Sequence, residues 1–351
     1  MIDLRSDTLT KPCDAMRTAM MAADVNDDVI DVDPTVAELQ ETIAGMLGKE
    51  AAMFMPSGTM TNQVAVRLHC RPGDELICES GCHIYNYEQG GFAQLSNVVA
   101  RTIKGDNSAI HVDQLRNVIQ PDNEHAVRTR LICLENTHNK GGGVVLPYDG
   151  VTDICKWAHD SGLITHLDGA RLFNAVVASG KSASDWGQHF DTISVCFSKG
   201  LGAPVGSALV GSKDMIYDMR RHRKLFGGGM RQSGFLAAAA LYALRNNIDR
   251  LAEDHSNAKL IGQAVVESEG LHLDLTRVET NIAIFRVDPD VATAAEFCEA
   301  AKTAGVWMFP FSHEDVRAVT HLHISETDAK RAGEIIAQVA VDLKAQKSIG
   351  V

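Results

Sequence analysis

Apolar and polar positions switch between two periods along most of the chain. Short apolar runs at residues 51–55, 75–79, 98–103, 131–135, 163–168, 192–198 and 207–211 read as strands. Between them, apolar residues recur at helical spacing over 61–69, 113–119 and 148–159. An earlier helix opens at Asp33-Pro34, where a side-chain acceptor caps the start and Pro suits the first turn. Val36, Leu39, Ile43, Met46 and Leu47 then share one face, and Gly48 stops it. Strands separated by helices, with no tight hairpin turns, predict βα units around a mostly parallel sheet. The expected fold class is therefore α/β. A helical stretch over 232–268, interrupted near Asn246-Asn247, leads into a tail of different pattern. The tail has strand-like runs at 281–287, 306–309 and 319–324 and helical ones at 293–304 and 327–345. We expect a large domain over residues 1–245, built on a mostly parallel seven-stranded sheet, and a smaller C-terminal α+β domain over 246–351.

Composition narrows the partners. The chain has 351 residues, 45% hydrophobic and 22% charged, which is ordinary for a folded protein. A net charge of −12 argues against nucleic acid or an acidic membrane surface as a partner. A small anion would still need cations placed locally. No apolar run approaches the roughly 20 residues of a membrane span, so no membrane partner is expected. The first residues, Met1 to Asp7, are charged and lack the apolar core of a signal peptide. None of the eight cysteines forms a CxxC pair, and most lie inside apolar runs. Cys78, Cys82 and His83 have no second ligand pair at a zinc spacing, so no metal is expected. A reducing, cytoplasmic setting fits this usage.

Two strand ends carry the first chemical signal. The run at 192–198 ends in Ser198-Lys199-Gly200, and the run at 163–168 ends in Asp168-Gly169-Ala170-Arg171. An isolated lysine is most often a surface charge, and an isolated Asp at such a place is often a helix cap. An acid after one parallel strand and a lysine after the next, however, share one crevice on one rim of the sheet. Pyridoxal 5'-phosphate (PLP) chemistry requires that pair: an amine for the Schiff base and a carboxylate facing the pyridine nitrogen. A phosphate cradle fits at Ser57-Gly58-Thr59, between a strand and a helix. Gly227-Gly228-Gly229-Met230-Arg231 offers a cation after a glycine run as a second phosphate contact. His83 could stack on the ring, and Arg171 and Arg317 could grip a carboxylate.

Together these pieces resemble the L-threonine aldolase family, enzymes of the low-specificity or L-allo-threonine type with the aspartate aminotransferase fold (fold type I). The likeness spans nearly the whole chain. It rests on Asp3-Leu4-Arg5-Ser6-Asp7-Thr8, Pro56-Ser57-Gly58-Thr59, Glu135-Asn136-Thr137-His138-Asn139, His166-Leu167-Asp168-Gly169-Ala170-Arg171, Ser198-Lys199-Gly200-Leu201-Gly202, Gly229-Met230-Arg231-Gln232 and Arg317-Ala318-Val319-Thr320-His321. The resemblance implies Lys199 as the Schiff-base lysine, Asp168 at the pyridine nitrogen and His83 on the ring. It implies Gly58, Thr59 and Arg231 at the phosphate, with Arg231 supplied by a neighbouring subunit. Ser6, Arg171 and Arg317 become the α-carboxylate clamp, and His125 matches a family histidine near the substrate β-hydroxyl.

The implied activity is cleavage of a small β-hydroxy-α-amino acid, such as L-threonine, L-allo-threonine or phenylserine, to glycine and an aldehyde. Lys199, His83 and His125 are its catalytic candidates. The implied assembly is a homotetramer, a dimer of dimers with shared active sites. A β-eliminating lyase or aminotransferase of the same fold, with Lys199 removing the α-proton, is the alternative. One departure from the family pattern Asp-Asp-Val-Tyr-Gly stands at Asp27-Asp28-Val29-Ile30-Asp31, which leaves the preferred substrate side chain open.

Overall fold

The computed structural model describes residues 1–348; residues 349–351, the end of the expected C-terminal domain, lie outside the described residues. Among the described residues, thirteen strands run in chain order as β1 (Ile2–Asp3), β2 (Ala51–Met55), β3 (Asp74–Glu79), β4 (Val99–Ile103), β5 (Arg128–Glu135), β6 (Ile164–Gly169), β7 (Thr192–Cys196), β8 (Ser207–Gly211), β9 (Leu271–His272), β10 (Ile282–Val287), β11 (Val306–Trp307), β12 (Phe309–Pro310) and β13 (Asp315–Val319). Seven of them form one sheet in the order β2-β8-β7-β6-β5-β3-β4. Every pairing in it is parallel except the two that β8 makes, with β2 and β7. Its central strands are buried along their length, as the continuous apolar runs require of a sheet covered on both faces.

The Pro34–Met46 helix shows how local signals place such a cover. Asp33 Oδ1 accepts from the N–H groups of Thr35 and Val36, each at 3.1 Å, while Oδ2 accepts from Gly234 N at 2.8 Å. The same carboxylate thus caps one helix and docks the start of the next, Gly234–Asn246. A Cβ on Gly234 would come within 2.4 Å of Asp33 Oδ1, so the contact needs glycine.

A second core gathers Ile261, Phe285, Phe297, Val306, Val316 and Ile336 around the antiparallel sheet β12-β13-β10-β9. Ile2 and Leu4 belong to this core, because β1 pairs with β11 across the length of the chain. That pairing carries Arg5, Ser6 and Asp7 to the boundary between the two sheets.

Three expected elements differ. The run expected as one strand over 306–309 divides at Met308 into β11, which pairs with β1, and β12, which pairs with β13. The strand expected over 319–324 lies at Asp315–Val319 instead, and 320–324 forms a turn. Its β-branched and apolar residues look strand-like, but side chains hold the turn: Thr320 Oγ1 donates to the Asp254 carbonyl at 2.6 Å, and His321 Nε2 meets the Asp3 carbonyl at 2.9 Å. The helix expected over 113–119 stops at Val112–Leu115, because Arg116 is extended and Asn117 adopts a left-handed φ of 65°.

Candidate active site

Strand register places the site. Glu135 on β5 stands opposite Asp168 on β6, and Asp168 stands opposite Ser194 on β7, so the three carboxyl-end segments share one rim. Asp168 is buried there, with Oδ1 accepting from Ala170 N at 3.1 Å and Oδ2 from Asn62 Nδ2 at 2.7 Å. Lys199 follows β7, and its carbonyl accepts from Thr10 Oγ1 at 2.9 Å and Gly202 N at 2.8 Å. Its Nζ has no hydrogen-bond or ion-pair partner among the described residues. Asp168, Glu88 and Lys199 all exert their charge on the His83 ring.

His83 opens a short helix, His83–Asn86. Its N–H donates to Glu135 Oε2 at 2.5 Å, and Glu135 Oε1 accepts from Asn139 N at 2.8 Å. Glu135 therefore ties the His83 turn to the Asn139 turn. Burial disfavours the His83 cation, but the hydrogen bond to Glu88 and the nearby carboxylates outweigh it and leave the imidazole pKa raised. The Tyr87 ring lies 5.5 Å from that of His83 and bounds the site.

The two candidate arginines converge. Arg171 is buried and forms a two-pronged pair with Asp7, Nε to Oδ2 at 2.7 Å and Nη2 to Oδ1 at 2.8 Å. Its Nη1 and that of Arg317 both donate to Asn139 Oδ1, at 3.3 and 3.2 Å. Arg317 also donates to the Arg5 carbonyl, while its buried Nε lacks a partner. Burial and the neighbouring Arg171 charge lower the Arg317 pKa, so an anion set between the two guanidiniums would relieve both. Ser6 caps the Asp7–Leu9 turn beside them, accepting from Thr8 N at 3.2 Å.

At the anion end, Ser57 caps the Gly58–His69 helix by accepting from Met60 N at 3.2 Å. The N–H groups of Gly58 and Thr59 find no acceptor among the described residues, as expected at a helix start open to an anion. A Cβ on Gly58 would lie 2.6 Å from Cys196 Sγ, so glycine lets this helix start sit against β7. Unfilled N–H donors, a buried carboxylate, an unpartnered amine and paired arginines suit a phosphate, a pyridine nitrogen, an aldehyde and a carboxylate in turn.

Two predicted residues stand apart from this cluster within the chain. His125 is 86% exposed and sits 3.4 Å from Glu124. Arg231 is half-exposed and pairs with Asp27 at 2.9 Å. Asp7, Asn62, Glu88 and Asn139 are site-building residues that sequence reasoning gave no role. Asp7 and Asn139 lie inside the motifs quoted above, but their function depends on partners more than 30 residues away.

The beta-eliminating lyase family model matches residues 3–288. A low specificity L-threonine aldolase of Escherichia coli K12 is 44% identical over 346 residues, covering 98% of this chain and 99% of that one. This chain belongs to the L-threonine aldolase family. A probable low-specificity L-threonine aldolase of Arabidopsis thaliana is 42% identical, with 94% of each chain covered. Among solved structures, a Leishmania major threonine aldolase has a TM-score of 0.84 at 19% identity, covering 97% of this chain and 100% of that one. A Thermus thermophilus aspartate aminotransferase has a TM-score of 0.73 at 15% identity, covering 97% and 91%. The architecture expected from the motifs is thus the family's own: a fold type I aldolase.

Buried histidines around this candidate site make stability sensitive to acid. Burial pulls His69 down to about 3 and both His166 and His255 down to about 4. Their neutral forms stabilise the fold above the unfolded value of about 6.5, and that stability is lost as pH falls below it. Asp254, pushed up to about 6 by burial, acts the other way between roughly pH 4 and 6. Asp7 and Glu79, both held at about 2, add their loss only below roughly pH 4.5. Near pH 5 these groups together leave the unfolded chain with about two more bound protons, so their contribution to the unfolding free energy should fall by roughly 3 kcal/mol per pH unit. Guanidinium unfolding at pH 7, 6 and 5 measures this; unchanged midpoints would contradict the buried, neutral histidines.

Proposed function

We propose that this chain is a PLP-dependent aldehyde lyase that cleaves L-threonine, L-allo-threonine or a related β-hydroxy-α-amino acid to glycine and an aldehyde. The observation that carries the reading is the meeting of Lys199, Asp168 and Arg171 at one rim of the seven-stranded sheet, with Arg317 of β13 joined to Arg171 through Asn139. Lys199 would hold the cofactor aldehyde, Asp168 its pyridine nitrogen, His83 its ring face, and the Gly58–Thr59 helix start its phosphate. When bound, the cofactor supplies an electron sink for the carbon–carbon bond being broken.

Arg171 and Arg317 grip the α-carboxylate, with Ser6 beside them, and so fix the direction of the Cα–Cβ bond. A base takes the β-hydroxyl proton, the Cα–Cβ bond breaks, the aldehyde departs, and Cα takes a proton to give glycine. We assign the base to a water held by His83 or His125, because an imidazole lying on a ring is poorly aimed at the β-oxygen. His125 and Arg231 act in a neighbouring subunit's site in this reading, in a homotetramer of cytoplasmic location. Their exposure supports it, as do Ile30 at 82% and Val32 at 54% exposed, beside Asp27 and its Arg231 partner. No helix among the described residues is long and apolar enough to cross a membrane.

Incubation with L-threonine, L-allo-threonine and L-phenylserine tests the reaction. Glycine and aldehyde should form in equal amounts from at least one of them. Ammonia with a keto acid would instead establish the β-eliminating or transaminating alternative.

A further inference from the structure

The site is backed by a continuous line of buried hydrogen bonds whose direction can be worked out. His69 Nε2 meets Thr192 Oγ1 at 2.9 Å, Thr192 Oγ1 meets His166 Nδ1 at 2.9 Å, and His166 Nε2 meets Asn62 Oδ1 at 3.1 Å. Asn62 Oδ1 can only accept, so His166 donates through Nε2 and accepts at Nδ1. The single Thr192 hydroxyl proton must then go to His166, and His69 must donate to Thr192. The Asn62 amide points its nitrogen the other way. One Nδ2 hydrogen reaches Asp168 Oδ2 and the other Glu88 Oε1, both at 2.7 Å. Glu88 Oε2 accepts from Gln63 Nε2 at 2.6 Å, and Glu88 Oε1 faces His83 Nδ1 at 2.9 Å.

We propose that Asn62 and Glu88 are positioning residues: Glu88 fixes the His83 ring with Nδ1–H directed at it, and Asn62 couples Glu88 to Asp168 by dividing its two amide hydrogens between them. The assignment rests on the reading of the site given above. Glu88 is fully buried and receives donors from three side chains, so it cannot swing away from His83 without leaving all three unpaired. His83 Nε2 has no partner among the described residues and is the ring nitrogen left to hold the water assigned as base. One atom each of His83, Glu88 and Asp168 lie within 4.8 Å of one another, a spacing that could suit a cation. The donors of Asn62, Gln63 and His83 already fill that space, so the cluster serves to orient groups.

Nitrogen-15 NMR of the holoenzyme with labelled histidines tests this, with His83 assigned through His83→Gln. In the unmodified protein, neutral His83 should be the Nδ1–H tautomer; the Nε2–H tautomer would overturn the proposal without any variant of Asn62 or Glu88. Glu88→Gln should lower the His83 titration midpoint by about 1–2 units. It should also reduce kcat roughly tenfold or more, with KM changed less than about threefold. Asn62→Ala should shift both that midpoint and the pH profile of the visible cofactor band. Altered stability with unmoved titrations would show a purely structural role and defeat the proposal. Purified protein lacking any cofactor absorbance would defeat the PLP reading instead, and leaves the His83 tautomer as a separate result.

Discussion

Lys199→Ala is expected to lower turnover by roughly three to four orders of magnitude, the scale of losing the covalent anchor that the proposed function assigns to it. The visible absorbance of the bound cofactor should be lost with it. The structure predicts that folding survives the change. The Lys199 backbone is held by Thr10 and Gly202, which bond its carbonyl and are untouched by the substitution. Its Nζ contributes no hydrogen bond among the described residues, so the melting temperature should move little. Parallel measurements of absorbance, glycine release and thermal unfolding separate these effects. Normal turnover in the variant would remove Lys199 from the chemistry.

The Asp7–Arg171 pair should show the second largest effect, divided between stability and binding. Burial works against the Asp7 carboxylate, but the charge and hydrogen bonds of Arg171 outweigh it and hold the carboxyl at about 2. Asp7→Asn leaves a buried guanidinium uncompensated, which should cost about 3–5 kcal/mol of stability. Asn281, which donates to Asp7 Oδ2 at 3.2 Å, would lose its partner's charge as well. Arg171→Ala should raise KM for the amino acid roughly tenfold to a hundredfold, because charge-assisted hydrogen bonds are worth about 1.5–3 kcal/mol. Cofactor affinity should change far less. Denaturant titration of Asp7→Asn and steady-state kinetics of Arg171→Ala check the two halves. A variant at Arg171 that loses only cofactor, with KM preserved, would contradict the carboxylate clamp.

Much of the candidate site was legible because it depends on local order. Asp168 and Lys199 each end an apolar run, and a parallel βα arrangement forces the ends of such runs onto one edge. Ser57-Gly58-Thr59 was legible for a similar reason: strand, cap and helix start follow one another directly. The turn at 320–324 was not, because its conformation is set by Asp254 and Asp3, both distant in sequence, and local propensity there points to a strand.

The sequence by itself determined the alternation of strands and helices, the residues able to carry the chemistry, and the family motifs that join them. Only the tertiary structure decided how those residues are held. It brought β1 across the chain to β11 and set Asp7 against Arg171. It also converged two arginines on Asn139 and placed Asn62 between Asp168 and Glu88. The physical reason is range: periodicity and capping act over a few residues, whereas a buried charge is satisfied by whatever partner the folded chain delivers.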